Sequence, residues 1–171
     1  MAIAGGKKMK KFRILPVLGL GFAVLAAAFA AGRRAGPADD RLVQIEKSIR
    51  DCIGWAKDKD FGLLYGVIAN DPDFLEVHPD GKVVKGIEEF KKAESFWGSP
   101  DFKAIRYEIR ELKIKLSKSG DVAWFFCLLD DINEWKGQPA NWENTRWTGV
   151  LENRDGRWVM IQQHFSFESD R

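Results

Sequence analysis

The sequence predicts an α+β fold: helices gathered in the first half, then a curved antiparallel sheet that they cover on one face. Three observations predict it. Leu42, Ile45, Ile49, Cys52, Ile53 and Ala56 recur at spacings of three and four, which is one face of a helix. From Phe102 onward the apolar period changes to two, the spacing of a half-buried strand. The chain then closes on RWTGVLENRDGRWVMIQQHFSF, where two strand-forming runs flank Asn153-Arg154-Asp155-Gly156. That tetrapeptide suits a tight turn, so the stretch predicts an antiparallel hairpin.

The length of 171 residues suits one domain plus an extension. Hydrophobic content of 45% and charged content of 30% belong to a globular chain, and seven Trp with twelve Phe predict an aromatic core. The net charge of +2 hides an asymmetry. Lys7, Lys8, Lys10, Lys11 and Arg13 cluster at the start, and no acidic residue precedes Asp39. These basic residues precede an uncharged run, Ile14 to Ala31, which ends in a small-x-small pattern at Ala28-Phe29-Ala30. Residues 1–31 therefore read as a signal peptide or, at about 18 apolar residues, a retained membrane anchor. Either places the domain outside the cytoplasm: periplasmic or secreted, or anchored with the domain outside. Membrane contact is expected only through this segment if it stays uncleaved. A nucleic-acid partner is excluded, because the basic cluster belongs to the targeting segment. Residues 32–38 read as a linker and 39–171 as the domain.

Taken in order, the first helix is capped by Asp39 or Asp40 and ends before Lys57-Asp58-Lys59-Asp60. A short helix, Phe61 to Ile68, follows with Asp60 as its cap. Asn70-Asp71-Pro72-Asp73 is a turn. Phe74 to His78 is a short strand, Pro79-Asp80-Gly81-Lys82 its hairpin turn, and Val83-Val84 a brief return. A third helix runs from Ile87 to Phe96 and stops at Gly98-Ser99-Pro100. Ile105, Tyr107 and Ile109 then alternate with charges, but Leu112, Ile114 and Leu116 continue on even numbers. That switch predicts a β-bulge between Ile109 and Leu112. Val122 to Leu129 is apolar almost throughout, which predicts a central strand covered on both faces. Asp130 to Asn144 reads as a polar loop carrying Trp135 and Trp142. Cys52 and Cys127 could pair or remain two buried thiols, and nothing around them has zinc-ligand spacing.

The order of these pieces resembles the SnoaL-like branch of the nuclear transport factor 2 (NTF2)-like superfamily, over about residues 40 to 168. The residues that carry the resemblance are the helix ending in KDKDF, the segment FLEVHPDGKVVKG, the bulged strand followed by DVAWFFCLLD, and the closing Arg-x-Thr, Gly-x-Trp and His-x-Ser pattern. The resemblance implies an NTF2-like cone: a curved antiparallel sheet with three helices over its concave face, enclosing a pocket. It also implies pairing through the outer face of the sheet as a homodimer. The family includes isomerases, cyclases, dehydratases and hydrolases beside proteins that only bind, so fold alone fixes no function.

Candidate chemistry concentrates on a few residues. With Glu152 and Arg157 flanking the hairpin turn, Thr145 faces His164, Trp147 faces Gln162 and Gly149 faces Met160. Alternation leaves open which face lines the pocket; the resemblance favours that of His164. His164 is a candidate general base, since its ordinary pKa lies near neutrality. Asp130, at the end of the central strand, is a second candidate, because a carboxylate buried there would have a raised pKa. Tyr65, His78, Trp97, Trp124, Trp135, Arg146, Trp147 and Gln162 are candidate ligand-binding residues. Alternation puts Glu76, His78 and Asp80 on one strand face, but no second spaced histidine supports a metal, and no cofactor is implied. The leading expectation is a module that binds a small hydrophobic or amphipathic molecule or a protein partner without catalysis. The competing expectation is an isomerase-, cyclase- or dehydratase-type enzyme that moves a proton through His164 or Asp130.

Overall fold

A computed structural model gives the structure of residues 37–168. The predicted signal or anchor and residues 32–36 of the predicted linker lie outside the described residues. Helix α1 (Pro37–Asp58) opens with proline at its first position, where a missing N–H costs no hydrogen bond. It buries the stripe Ile45, Ile49, Cys52 and Trp55. Its outer face carries i,i+4 ion pairs, Glu46 with Arg50 and Lys47 with Asp51. Helix α2 (Phe61–Val67) is capped as expected: Asp60 accepts the Leu63 N–H at 2.9 Å. Strands β1 (Leu75–Val77) and β2 (Val83–Lys85) form the small hairpin. The predicted third helix occurs as two short pieces, α3 (Ile87–Lys91) and α4 (Glu94–Gly98), on either side of Lys92-Ala93.

Four long strands complete the chain. They are β3 (Phe102–Leu116), β4 (Val122–Trp135), β6 (Trp142–Arg154) and β7 (Arg157–Ser166), with the two-residue β5 (Gln138–Pro139) paired on β4. The sheet order is β2-β1-β7-β6-β4-β3. Every pairing is antiparallel except β1 on β7, which is parallel and makes the sheet mixed. Helix α1 lies across β3 and β7, and Ser48 on α1 donates to the Trp158 carbonyl at 2.9 Å inside the core. Trp147 sits at the centre of the sheet's inner face with no exposed surface. It stacks on Phe165 at 5.5 Å and meets Phe125 edge-on at 4.9 Å.

Three expectations change here. The segment from Asp130 to Asn144 is not a loop: β4 runs on to Trp135, turns through Lys136 and Gly137 at positive φ, and returns as β5 and β6. Val122 to Leu129 is covered on one face only, since Trp124 points outward and is 47% exposed. The closing hairpin turns through Asp155 and Gly156, both at positive φ, so Arg154 rather than Glu152 is the partner of Arg157. A two-residue turn with both residues at positive φ matches the twist of the flanking strands. An ion pair from Arg154 to Asp71 braces the tip of this hairpin against the α2–β1 connection.

Bulges decide which side chains face inward. The predicted bulge in β3 is present: pairing shifts between Arg110 and Lys113, with Glu111 at φ 54°. A second bulge, in β7, was not legible. Val150 pairs with Gln162 but Leu151 pairs with Met160, so Ile161 is the extra residue. Before it Trp158 and Met160 are buried; after it Gln163 and Phe165 are. The bulge turns His164 outward.

Candidate functional site

The concave face of the sheet and the helices enclose a cavity of about 510 Å³. Its apolar wall is aromatic. Trp55, Phe90 and Trp97 form one side, with ring centroids 5.5 Å apart for Trp55–Trp97 and 4.9 Å for Phe90–Trp97. Trp142 and Phe165 form the other, 5.2 Å apart.

The polar groups come from three strands. On β1, Glu76 points inward between the outward-facing Leu75 and Val77, and His78 follows on the same face. Glu76 is 5% exposed. One of its oxygens accepts the amide N–H of Gln163 on β7, and the other lies 2.5 Å from His78 Nε2. The parallel pairing of β1 on β7 sets this up, because it places Glu76 directly beside Gln163. The carboxylate therefore fixes both side chains, and it orients His78 against the edge of Trp142, 5.8 Å between ring centroids. On β4, Asp131 and Asn133 face the cavity from the strand extension that the sequence disguised as a loop. Asp80 and Lys82, from the β1–β2 turn, stand at the rim.

Asp130 and Asp131 are neighbours with opposite environments. Asp130 faces away from the cavity. It accepts the Asn144 N–H at 2.7 Å and pairs with Arg110 at 3.0 Å, and these contacts hold its carboxyl below the usual carboxylate range. Burial in the cavity wall raises Asp131, against a smaller opposing effect of the Asn133 amide. The raised carboxylate anticipated at the strand end is thus present, one residue further on. The two also act oppositely on stability. Asp131 binds its proton more tightly folded than unfolded, so stability falls as pH rises between its unfolded and folded pKa values. Asp131→Asn should therefore melt higher than wild type at pH 7 and lose that advantage below about pH 4. Asp130 contributes stability above its unfolded pKa that is lost as pH falls through the depressed folded value. Asp130→Asn should melt lower at pH 7, by no more than about 1 kcal/mol for a partly exposed pair. Thermal melts of both variants at pH 7 and pH 3.5 check the signs.

Of the ten residues singled out from sequence, His78 and Trp97 line this cavity. His164 is exposed on the outer face, opposite Thr148, with Gln162 on the same face. Arg146 also points out and donates to the Phe167 carbonyl. Trp124 is on that face too. Trp147 is core. Tyr65 donates to Glu94, and Trp135 packs on Phe96 at 4.6 Å, neither in the cavity wall. The site residues that sequence reasoning missed as ligand-binding are Glu76, Gln163, Asp131, Asn133 and Trp142. Glu76 and Asp131 had a signal, alternation with His78 and position at a strand end. Gln163 had none, because an unmarked bulge sets its phase.

Cys52 and Cys127 are both buried free thiols. Burial pushes the Cys127 thiol up to about 12 and raises Cys52 as well, so neither is a nucleophile at neutral pH. Among the described residues, no group of three or more His, Cys, Asp or Glu could hold a metal ion. Nor is any helix among them long and apolar enough to cross a membrane.

The profile of the SnoaL-like domain matches residues 45–169. Among solved structures, an NTF2-like protein from Cytophaga hutchinsonii superposes with a TM-score of 0.59 at 16% identity, covering 75% of this chain and 97% of that one. A candidate dehydratase from the NTF2-like family, from Streptomyces avermitilis, gives 0.63 at 15% identity, with 78% and 99% covered. A ketosteroid isomerase-like protein from Erwinia carotovora atroseptica gives 0.59 at 17%, with 77% and 99% covered. At these identities the likeness establishes the fold, an NTF2-like cone, and leaves activity to the site. No curated protein matches the sequence.

Proposed function

The chain belongs to the SnoaL-like domain family, and from that premise we propose that its cone binds one small, largely apolar molecule. The observation that carries this is the cavity itself: about 510 Å³, walled by aromatic rings, with a few convergent polar groups on one side. Ligand sites of this kind bury most of an apolar body and orient it through a small polar set. The test is a fluorescence titration with 2-naphthalenemethanol, a neutral bicyclic probe, on wild type and Ala93→Trp. Ala93 lines the cavity, and an indole there takes up space that the probe needs. Saturable binding by wild type that the variant loses, with the variant still folded, is expected. Absence of binding by wild type, or equal binding by both, contradicts the proposal.

A specific observation favours a second reading, proton transfer on the bound molecule. A histidine oriented by a carboxylate lines the same apolar cavity as a second carboxyl whose pKa is raised. Under this reading the chemistry belongs to His78 and Asp131, since His164 and Asp130 face away from the cavity. Exchange of the α-protons of 2-tetralone in deuterated water, followed by NMR, tests it. Acceleration by wild type that both His78→Gln and Asp131→Asn lose is expected, and no acceleration by wild type contradicts it. Export and pairing of two copies through the outer sheet face, where Trp124 is exposed, belong to the same proposal. Recovery in the cytoplasmic fraction, or a monomeric mass by light scattering, would contradict them in turn.

A further inference from the structure

Two carbonyl oxygens of cavity-lining side chains have no donor among the described residues. Gln163, 5% exposed, donates its amide N–H to Glu76. A carboxylate oxygen accepts, so this contact turns the amide nitrogen of Gln163 toward Glu76. The carbonyl oxygen of Gln163 is then left buried with no donor among the described residues. Asn133, 7% exposed, is in the same condition. Its Nδ2 lies 3.5 Å from the Asp131 carbonyl, and its Oδ1 is buried without a donor among the described residues. A buried carbonyl carries its full desolvation cost until some donor reaches it.

Charge points the same way. Three carboxylates line the cavity, Glu76, Asp80 and Asp131, against one lysine, Lys82 at the rim. Glu76 is occupied by Gln163 and His78. Burial acts on Asp131, opposed by the Asn133 amide, and among the described residues no salt bridge reaches it. The aromatic wall adds to this. Trp55 uses its indole N–H on the Cys52 carbonyl at 3.1 Å, so it offers the cavity ring surface and no donor. Ring faces carry partial negative charge and attract cations.

Resting on the cavity reading above, we propose that the ligand is a cationic amine. Its ammonium group meets Asp131 and the Asn133 carbonyl, its apolar body sits against Trp55, Phe90 and Trp97, and the Gln163 carbonyl is free for any second donor. A carboxylate or phosphate ligand would meet like charge at Asp131 and Asp80, and it could not supply the donor that the Asn133 and Gln163 carbonyls lack.

Three isosteric probes separate the possibilities: 2-naphthylmethylamine, 2-naphthalenemethanol and 2-naphthoate, titrated by calorimetry at pH 7 into wild type and Asp131→Asn. The amine should bind wild type about tenfold more tightly than the alcohol, and the carboxylate least tightly. Asp131→Asn should remove the difference between amine and alcohol. Melting curves show that the variant is folded. Alcohol binding as tight as amine binding, or an amine preference that survives Asp131→Asn, overturns the amine assignment and leaves the cavity reading standing. Failure of all three probes to bind overturns both.

Discussion

Trp147→Ala is expected to destabilise the protein by about 3–5 kcal/mol, the range for removing a large aromatic side chain from a core. Trp147 has no exposed surface, and its ring is held between Phe125 and Phe165 on the inner face of β4, β6 and β7. Its neighbours are anchored in strands paired on both sides, so they cannot close the space an alanine would leave. For a domain of this size the loss corresponds to a fall in melting temperature of roughly 10–20 °C. Trp147→Phe should cost far less, because the indole N–H is buried without a partner and phenylalanine removes it. Thermal unfolding of the two variants checks both statements. A fall of less than about 3 °C for Trp147→Ala would mean that the three-ring stack contributes little.

Gly149→Val is expected to be the second most damaging change. A Cβ at Gly149 would lie 2.6 Å from a Phe125 ring carbon, 2.7 Å from the Met160 sulfur and 2.8 Å from the Gln162 carbonyl oxygen. The last is backbone, so a rotamer change cannot relieve it. Overpacking of this kind costs about 1–3 kcal/mol, and valine adds two further methyl groups. The clash also falls beside the β7 bulge, so Gly149→Val should disturb the phase that sends Gln163 inward. Chemical denaturation gives the stability loss. Unchanged stability would show that β6 and β7 have more room than their packing suggests.

That phase explains much of what was legible in the sequence and what was not. The β3 bulge announced itself, because apolar residues moved from odd to even numbers between Ile109 and Leu112. The β7 bulge did not. Val159, Met160 and Ile161 are apolar in succession, so no alternation existed there to show a change of phase. Strict alternation carried from Trp158 to His164 therefore put the two on one face, while the bulge puts them on opposite faces. The end of β4 was misread for a related reason. A strand whose inward positions serve a cavity carries Asp131 and Asn133 where a core strand would carry leucine, and it reads as a loop. Glu76 and His78 were legible as neighbours on one face, since a three-residue strand leaves alternation little room to fail. Their link to Gln163 depends on a parallel pairing 87 residues away, which no local pattern encodes.

The overall architecture was more accessible than the site because many residues vote for it. Stripe, period and turn signals repeat along the chain, and a single slip does not alter the fold class. The site depends on the phase of single residues beside two irregularities, at Ile161 and at Asn144, whose φ of 50° accompanies the pairing shift after Leu129.

If the proposal holds, the functional surface is the cavity within the cone and not the outer face that carries His164. Amide and side-chain NMR spectra of the isotopically labelled protein, recorded during titration with 2-naphthalenemethanol, distinguish the two faces. Saturable shifts are expected at the Trp97 and Trp142 indoles and at the Asn133 and Gln163 side-chain amides, with Thr148, Gln162 and His164 unmoved. Shifts confined to Trp124, Thr148 and His164 would contradict it.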